Sequence, residues 1–124
     1  MARRIRVVLA RDFVTAKPDG LLNLEESEQV LRDVVSASGP LDEEFDILVD
    51  TRDAVSVLSA TDLWYLADRL ARHPGTFAGR TAILCPGERF DHAAFFALCA
   101  EKKGVDMQAF TSYEEAMSWL QAPR

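Results

Sequence analysis

Residues 45–70 read FDILVDTRDAVSVLSATDLWYLADRL, and this stretch decides the fold class. Phe45 to Val49 is a short apolar run that ends in Asp50, the pattern of a buried strand. A mixed polar and apolar connection follows over residues 51–58, and beyond it Leu63, Leu66, Ala67 and Leu70 recur at helical spacing. Ser59-Ala60-Thr61-Asp62 has a hydroxyl three residues before a carboxylate, the capping-box pattern, which contributes about 1 kcal/mol. A buried strand feeding a capped helix is the unit from which parallel sheets are built.

The same unit recurs toward the C-terminus. Pro74-Gly75 ends the helix, Gly79 precedes a strand over Thr81–Cys85, and Pro86-Gly87 closes it. A third helix, about Asp91 to Lys103, carries Phe95, Phe96, Leu98 and Cys99 on more than one face and is expected to be well buried. Gly104 caps it, Val105–Phe110 is a last short strand, and Ser112-Tyr113-Glu114-Glu115 reads as a second capping box. The helix it opens places Tyr113, Ala116, Met117 and Leu120 on one face, and Pro123 marks its end.

Toward the N-terminus, Arg4–Val14 alternates as a strand, and Lys17-Pro18-Asp19-Gly20 reads as a turn leading to Leu21 and Leu22. This predicts an N-terminal hairpin whose first strand lies at a sheet edge, with Arg4 and Arg6 on one face and Ile5, Val7 and Leu9 on the other. A helix is predicted over Leu24–Ser38, from Val30, Leu31, Val34 and Val35, with Asn23 as N-cap and Glu25, Glu26 and Glu28 in the first turns. Gly39-Pro40 stops it, and Leu41–Glu44 is a polar loop. Strand followed by four strand–helix units implies an α/β fold: a single-layer, mostly parallel sheet of about five strands, with an antiparallel edge hairpin and four helices, in one domain over residues 1–124.

A length of 124 residues suits one domain. The net charge of −6 opposes the potential of nucleic acid, and the one basic cluster, Arg3, Arg4, Arg6 and Arg11, falls on a strand-like alternation that suits a solvated face. The apolar stretch 7–10 is too short for a signal peptide, and the longest uncharged apolar run, 93–100, falls far short of the ~18 residues of a membrane span. These features predict a cytoplasmic protein without membrane insertion. Cys85 and Cys99 both lie in apolar runs and are expected to be reduced, buried thiols.

Candidate functional residues are collected by one rule: open α/β sheets bind ligands beyond the carboxyl ends of their strands, where helix N-termini also point. That nominates Asp50, Arg52, Asp53 and Ser59 after one strand, Pro86 to Arg89 after the next, and Thr111 and Ser112 after the last. Cys85 and Arg89 are separated by three residues, too few for a loop that wraps a phosphate with its N–H groups, so Cys85 reads as a strand-end thiol. His73 and His92 are in no metal-ligand spacing and read as surface histidines. The glycines are scattered singly, without a phosphate-binding loop, so neither metal nor cofactor is expected. Asp12 and Asp50 suggest the cation site of a phospho-receiver, but Cys85-Pro86 and Phe110-Thr111 stand where its acceptor aspartate and its lysine belong. Asp50 is therefore expected to accept hydrogen bonds from a neighbouring turn or helix start. Trp64 and Tyr65 cannot both face inward, which leaves an aromatic side chain for a partner surface.

The order of elements and the segment from Asp50 to Leu66 resemble STAS domains, named from sulfate transporters and anti-sigma-factor antagonists. Such domains carry an apolar strand ending in aspartate, a short connection, and a helix opening on Asp-Ser-Ser/Thr-Gly-Leu. Phe45-Asp46-Ile47-Leu48-Val49-Asp50 stands for that strand and Leu58-Ser59-Ala60-Thr61-Asp62-Leu63 for the motif. Val105–Phe110 followed by Ser112-Tyr113-Glu114-Glu115-Ala116 is similar to the family's closing strand and "EEA" helix. The resemblance implies a non-enzymatic regulatory or protein-interaction module, with Ser59 as the acceptor of a phosphorylation that switches partners. Leu58 replaces the motif aspartate, and Thr61 or Asp62 its glycine, so the pattern read by a kinase is degraded and Ser59 reads first as an N-cap. The partner or ligand surface implied comprises Asp50, Arg52, Asp53, Ser59, Thr61, Asp62 and Arg89. The alternative is a carrier of a small molecule or lipid, suggested by the aromatic-rich third helix and the strand-end surface. Another protein and a small hydrophobic ligand are thus the partners in view, and an edge strand or the Trp64/Tyr65 patch leaves a weak homodimer open.

Overall fold

The computed structural model describes residues 3–8, 13–38 and 45–123, in the order β1 (Arg3–Val8), β2 (Phe13–Pro18), β3 (Gly20–Leu22), α1 (Leu24–Ser38), β4 (Asp46–Asp50), β5 (Ala54–Ser56), α2 (Ala60–Ala71), β6 (Arg80–Leu84), α3 (Phe90–Lys102), β7 (Asp106–Phe110) and α4 (Tyr113–Gln121). The main sheet runs β1-β2-β4-β6-β7, with β1 antiparallel at one edge and the other four strands parallel. A second, two-stranded sheet pairs β3 with β5 in parallel.

The mostly parallel sheet with an antiparallel edge and four helices is thus present, but the hairpin differs from the expected one. The alternation expected to run through Arg4–Val14 is split between β1 and β2, paired from Arg3↔Pro18 to Val8↔Phe13. Charged residues fit the polar positions of an alternating strand, so periodicity alone cannot mark a reversal that carries no Gly or Pro signal. Lys17–Gly20 is not the hairpin turn. Gly20, at φ 72°, instead carries the chain from β2 into β3, so that Leu21 and Leu22 pair with Val55 and Ser56. The connection 51–58 accordingly contains a strand, too short for its period to show. The expectations for Arg11, Asp12, the Gly39-Pro40 stop and the 41–44 loop, and for the side chains of Arg3, Arg4, Arg6, Ile5, Val7 and Leu9, lie outside the described residues.

The pleat separates two cores. Ile47, Thr81, Ile83 and Cys85 face α1, α2 and α3, whereas Leu48, Ala82 and Leu84 pack on Ala116 and Leu120 of α4. Helix α1 has the expected bounds, and Asn23 Oδ1 accepts from Glu26 N–H at 2.8 Å. Helix α3 is less buried than expected. It turns Ala93, Ala97, Cys99 and Ala100 inward and leaves Phe90, Phe95 and Leu98 exposed, because the small side chains let it lie close to its neighbours. In α4, Tyr113 is likewise exposed while Ala116 and Leu120 are buried.

Candidate functional site

Where β4 ends, Asp50 is only 5% exposed and accepts from Arg52 three times: from its N–H at 3.1 Å, its Nε at 3.0 Å and its Nη2 at 2.9 Å. Burial alone would push this carboxyl up, but the hydrogen bonds from Arg52, with the charges of Arg52 and Lys17, outweigh it and hold the carboxyl below its ordinary value. Asp50 therefore fixes a turn, as expected. Asp53 is exposed and pairs with Lys17 at 3.5 Å, a surface contact of little energetic weight.

Ser59 forms the complete capping box: its Oγ accepts from Asp62 N–H at 3.1 Å, and Asp62 Oδ2 accepts from Ser59 N–H at 3.0 Å. Thr61 is exposed on the same turn. Neither group reaches Asp50. The residues on either side of the cap, Leu58 and Leu63, point elsewhere, into the wall of a cavity.

This cavity, of about 140 Å³, lies between the sheet and helices α1–α3. Ile47, Ile83 and Met107 form its sheet side; Val30 and Val34 of α1, Leu66 and Leu70 of α2, and Phe96 of α3 form its helix side. Its depths are dry in composition, but Thr81, 1% exposed, has a hydroxyl with no hydrogen-bond partner among the described residues, as has the wall residue Ser27. Thr51, Ser56, Leu58, Arg89 and His92, half-buried like Ser27, Val49 and Phe96 of the same wall, form its polar end, which we call the mouth.

At that mouth Ser56 Oγ lies 2.9 Å from His92 Nε2, and Leu58 N–H donates to Ser56 Oγ at 3.4 Å. Burial, and then the charge of Arg89, push the His92 imidazole below its usual range, favouring its neutral form. Arg89 Nη2 donates to Thr51 O at 3.4 Å. Burial pushes the Cys85 thiol up, only partly offset by Arg89, and its Sγ donates to Phe110 O at 3.5 Å; it is a protonated, poorly nucleophilic group. Cys99 is also buried and raised by burial. Among the described residues no three His, Cys, Asp or Glu side chains come together to hold a metal ion, and no helix is long and apolar enough to cross a membrane.

No family model and no curated protein matches the chain. Among solved structures, an uncharacterized protein from the DUF3478 family with a SpoIIAA-like fold, from Shewanella loihica PV-4, is similar over 96% of this chain and 92% of its own, at 23% identity and a TM-score of 0.64. The fold is SpoIIAA-like. This is the fold that the resemblance to STAS domains implies.

Within the SpoIIAA-like frame the seven candidate residues separate. Asp50, Arg52 and Asp53 form a turn cluster, Ser59, Thr61 and Asp62 form the α2 cap, and only Arg89 lines the cavity. Sequence reasoning missed Thr51, Ser56, Thr81 and His92. His92, expected at the surface, is half-buried because the turn at 87–89 sets α3 so that its first turn faces Ser56. Thr81 carried a usable signal: it shares the inward face of its strand with Ile83 and Cys85, so a polar side chain was placed in an apolar row.

Proposed function

We propose that this protein is a non-enzymatic binding module that holds a small, largely apolar molecule in the cavity between the sheet and α1–α3. The observation that carries the reading is the apolar cavity with the unpartnered Thr81 hydroxyl in its wall. Empty apolar walls forfeit dispersion contacts, which an apolar occupant restores; an unsatisfied buried hydroxyl costs about 1–3 kcal/mol, which only a hydrogen-bonding atom on the occupant relieves. An apolar cavity of about 150 Å³ accommodates benzene, which sets the occupant's buried part at one ring or a chain of about six carbons. The Ser56–His92 contact sets a hydroxyl beside a base, but among the described residues nothing else hydrogen-bonds the imidazole to orient it, and it serves here as a polar lip.

Methyl-resolved NMR titration with toluene and with 1-hexanol is expected to shift Ile47, Ile83, Leu63 and Leu66. Ala93→Leu, which extends a wall residue into the space, is expected to abolish these shifts while the circular dichroism of the fold is kept. Shifts confined to the exposed Val55, Val57 and Leu98, or none at all, would remove the reading.

A second reading, a protein-interaction module switched at Ser59, is favoured by the exposure of Trp64 and Tyr65 beside the α2 cap. A phosphate localised to Ser59 by intact-mass analysis of protein from its native host supports it. If no phosphate is found there, Ser59 is the cap alone, and Ser59→Ala lowers stability by about 1 kcal/mol in urea unfolding without altering ligand binding.

A further inference from the structure

Among the described residues, the mouth of the cavity holds a cation without a counter-ion. Arg52, Arg69, Arg72 and Arg80 each stand beside a carboxylate, Asp50, Glu28, Asp68 and Asp106 respectively. Arg89 has no such partner among the described residues, and neither has the exposed Arg32, which donates to Gln29 Oε1; of the two, Arg89 is the one that lines this cavity, in a chain of net charge −6. Among the described residues its guanidinium meets only the carbonyl of Thr51, at 3.4 Å, which leaves most of its donors unspent there.

Two further features of the same place have the same polarity. Arg89 occupies the N-cap of the 13-residue α3 without a side-chain cap bond, so the positive end of the helix dipole lies beside it. When His92 Nε2–H donates to Ser56 Oγ, the hydroxyl proton stays free to be donated beside Arg89; in the other tautomer the free proton is Nδ1–H, on the opposite side of the ring. Behind them the wall is apolar, apart from the unpartnered Thr81 and Ser27 hydroxyls.

We infer that the ligand is an amphipathic carboxylate, its carboxylate held at Arg89 and Ser56–His92 and its apolar body in the cavity; this rests on the binding role proposed above. A guanidinium matches a carboxylate in two parallel hydrogen bonds, and the half-buried position of Arg89 shields that pairing from water better than an exposed site would. The cavity limits the body to one ring or about six carbons.

The test compares hexanoate with 1-hexanol, equal in chain length and different in charge, by titration calorimetry against the parent chain and Arg89→Gln. The parent is expected to bind hexanoate at least about tenfold more tightly than 1-hexanol. Arg89→Gln is expected to bring the ratio of the two affinities close to one, chiefly by weakening hexanoate, with Arg89→Lys between the parent and Arg89→Gln. Equal affinities in the parent, or an unchanged ratio in Arg89→Gln, overturn the carboxylate inference while the binding role stands. Failure of both probes to bind overturns the binding role and this inference with it.

Discussion

Gly79→Ala is expected to destabilise the protein by about 3 kcal/mol or more, a large share of the roughly 5–15 kcal/mol that holds a domain of this size. A Cβ on Gly79 would stand 2.2 Å from the backbone oxygen of Phe45 and 2.9 Å from Asp46 Oδ1. The first contact is with main chain, which cannot swing aside as the end of a long side chain could. Relief requires the start of β6 to move from the start of β4, and that movement breaks the bond from Arg80 N–H to Asp46 Oδ1, 3.0 Å long, and disturbs the buried Phe45. Gly75→Ala is the matched control, since its Cβ would meet nothing within 4 Å and the change should lie within about 0.5 kcal/mol of the parent. Urea unfolding followed by circular dichroism reads both. A Gly79→Ala midpoint equal to that of the parent would show that the β4–β6 approach yields freely.

What the sequence made legible was local. Asn23, Ser59 and Ser112 announced three helix starts because a cap joins residues three apart, and each side chain accepts the N–H three residues on; the reciprocal bond of the capping box forms at Ser59, whereas at Ser112 only the half from Glu115 N–H is present among the described residues. Gly104, at φ 94°, ended α3 for a similarly local reason. The β3–β5 sheet was not legible, because three-residue strands carry no period and their pairing joins residues over thirty positions apart. The inward face of α3 was misjudged because its burial is decided by Ala93, Ala97 and Ala100, whose weak hydrophobic signal is overshadowed by the larger, exposed Phe95 and Leu98. The same distance in sequence hid the mouth of the cavity. Ser56 and His92 are 36 residues apart, and Arg89 meets Thr51 over 38, so their association follows only from the order of β4 and β6 in the sheet.

Arg80→Met is expected to cost about 2–3 kcal/mol and to do so unevenly along the chain. Arg80 opens β6 with its side chain 14% exposed, and its guanidinium crosses to the C-terminal end of α4. There Nη1 donates to the carbonyls of Trp119 and Ala122, Nη2 reaches that of Pro123 at 3.4 Å, and the group lies 5.3 Å from the centre of the Trp119 ring. Carbonyls at a helix end have no partner within the helix, and a cation there also complements the dipole. Helix α4 has nine residues, too few to be stable alone, so it depends on this attachment and on the packing of Ala116 and Leu120 against Leu48, Ala82 and Leu84. Methionine keeps much of the apolar stem and removes every donor, which isolates the polar contribution. Hydrogen exchange read by mass spectrometry should then show α4 amides losing protection at lower free energy than those of β4 and β6, with Arg80→Lys intermediate because it keeps the charge but not the fork. If α4 keeps its full protection in Arg80→Met, the apolar contacts of Ala116 and Leu120 are sufficient to hold the helix, and the guanidinium merely occupies a site that water would fill equally well.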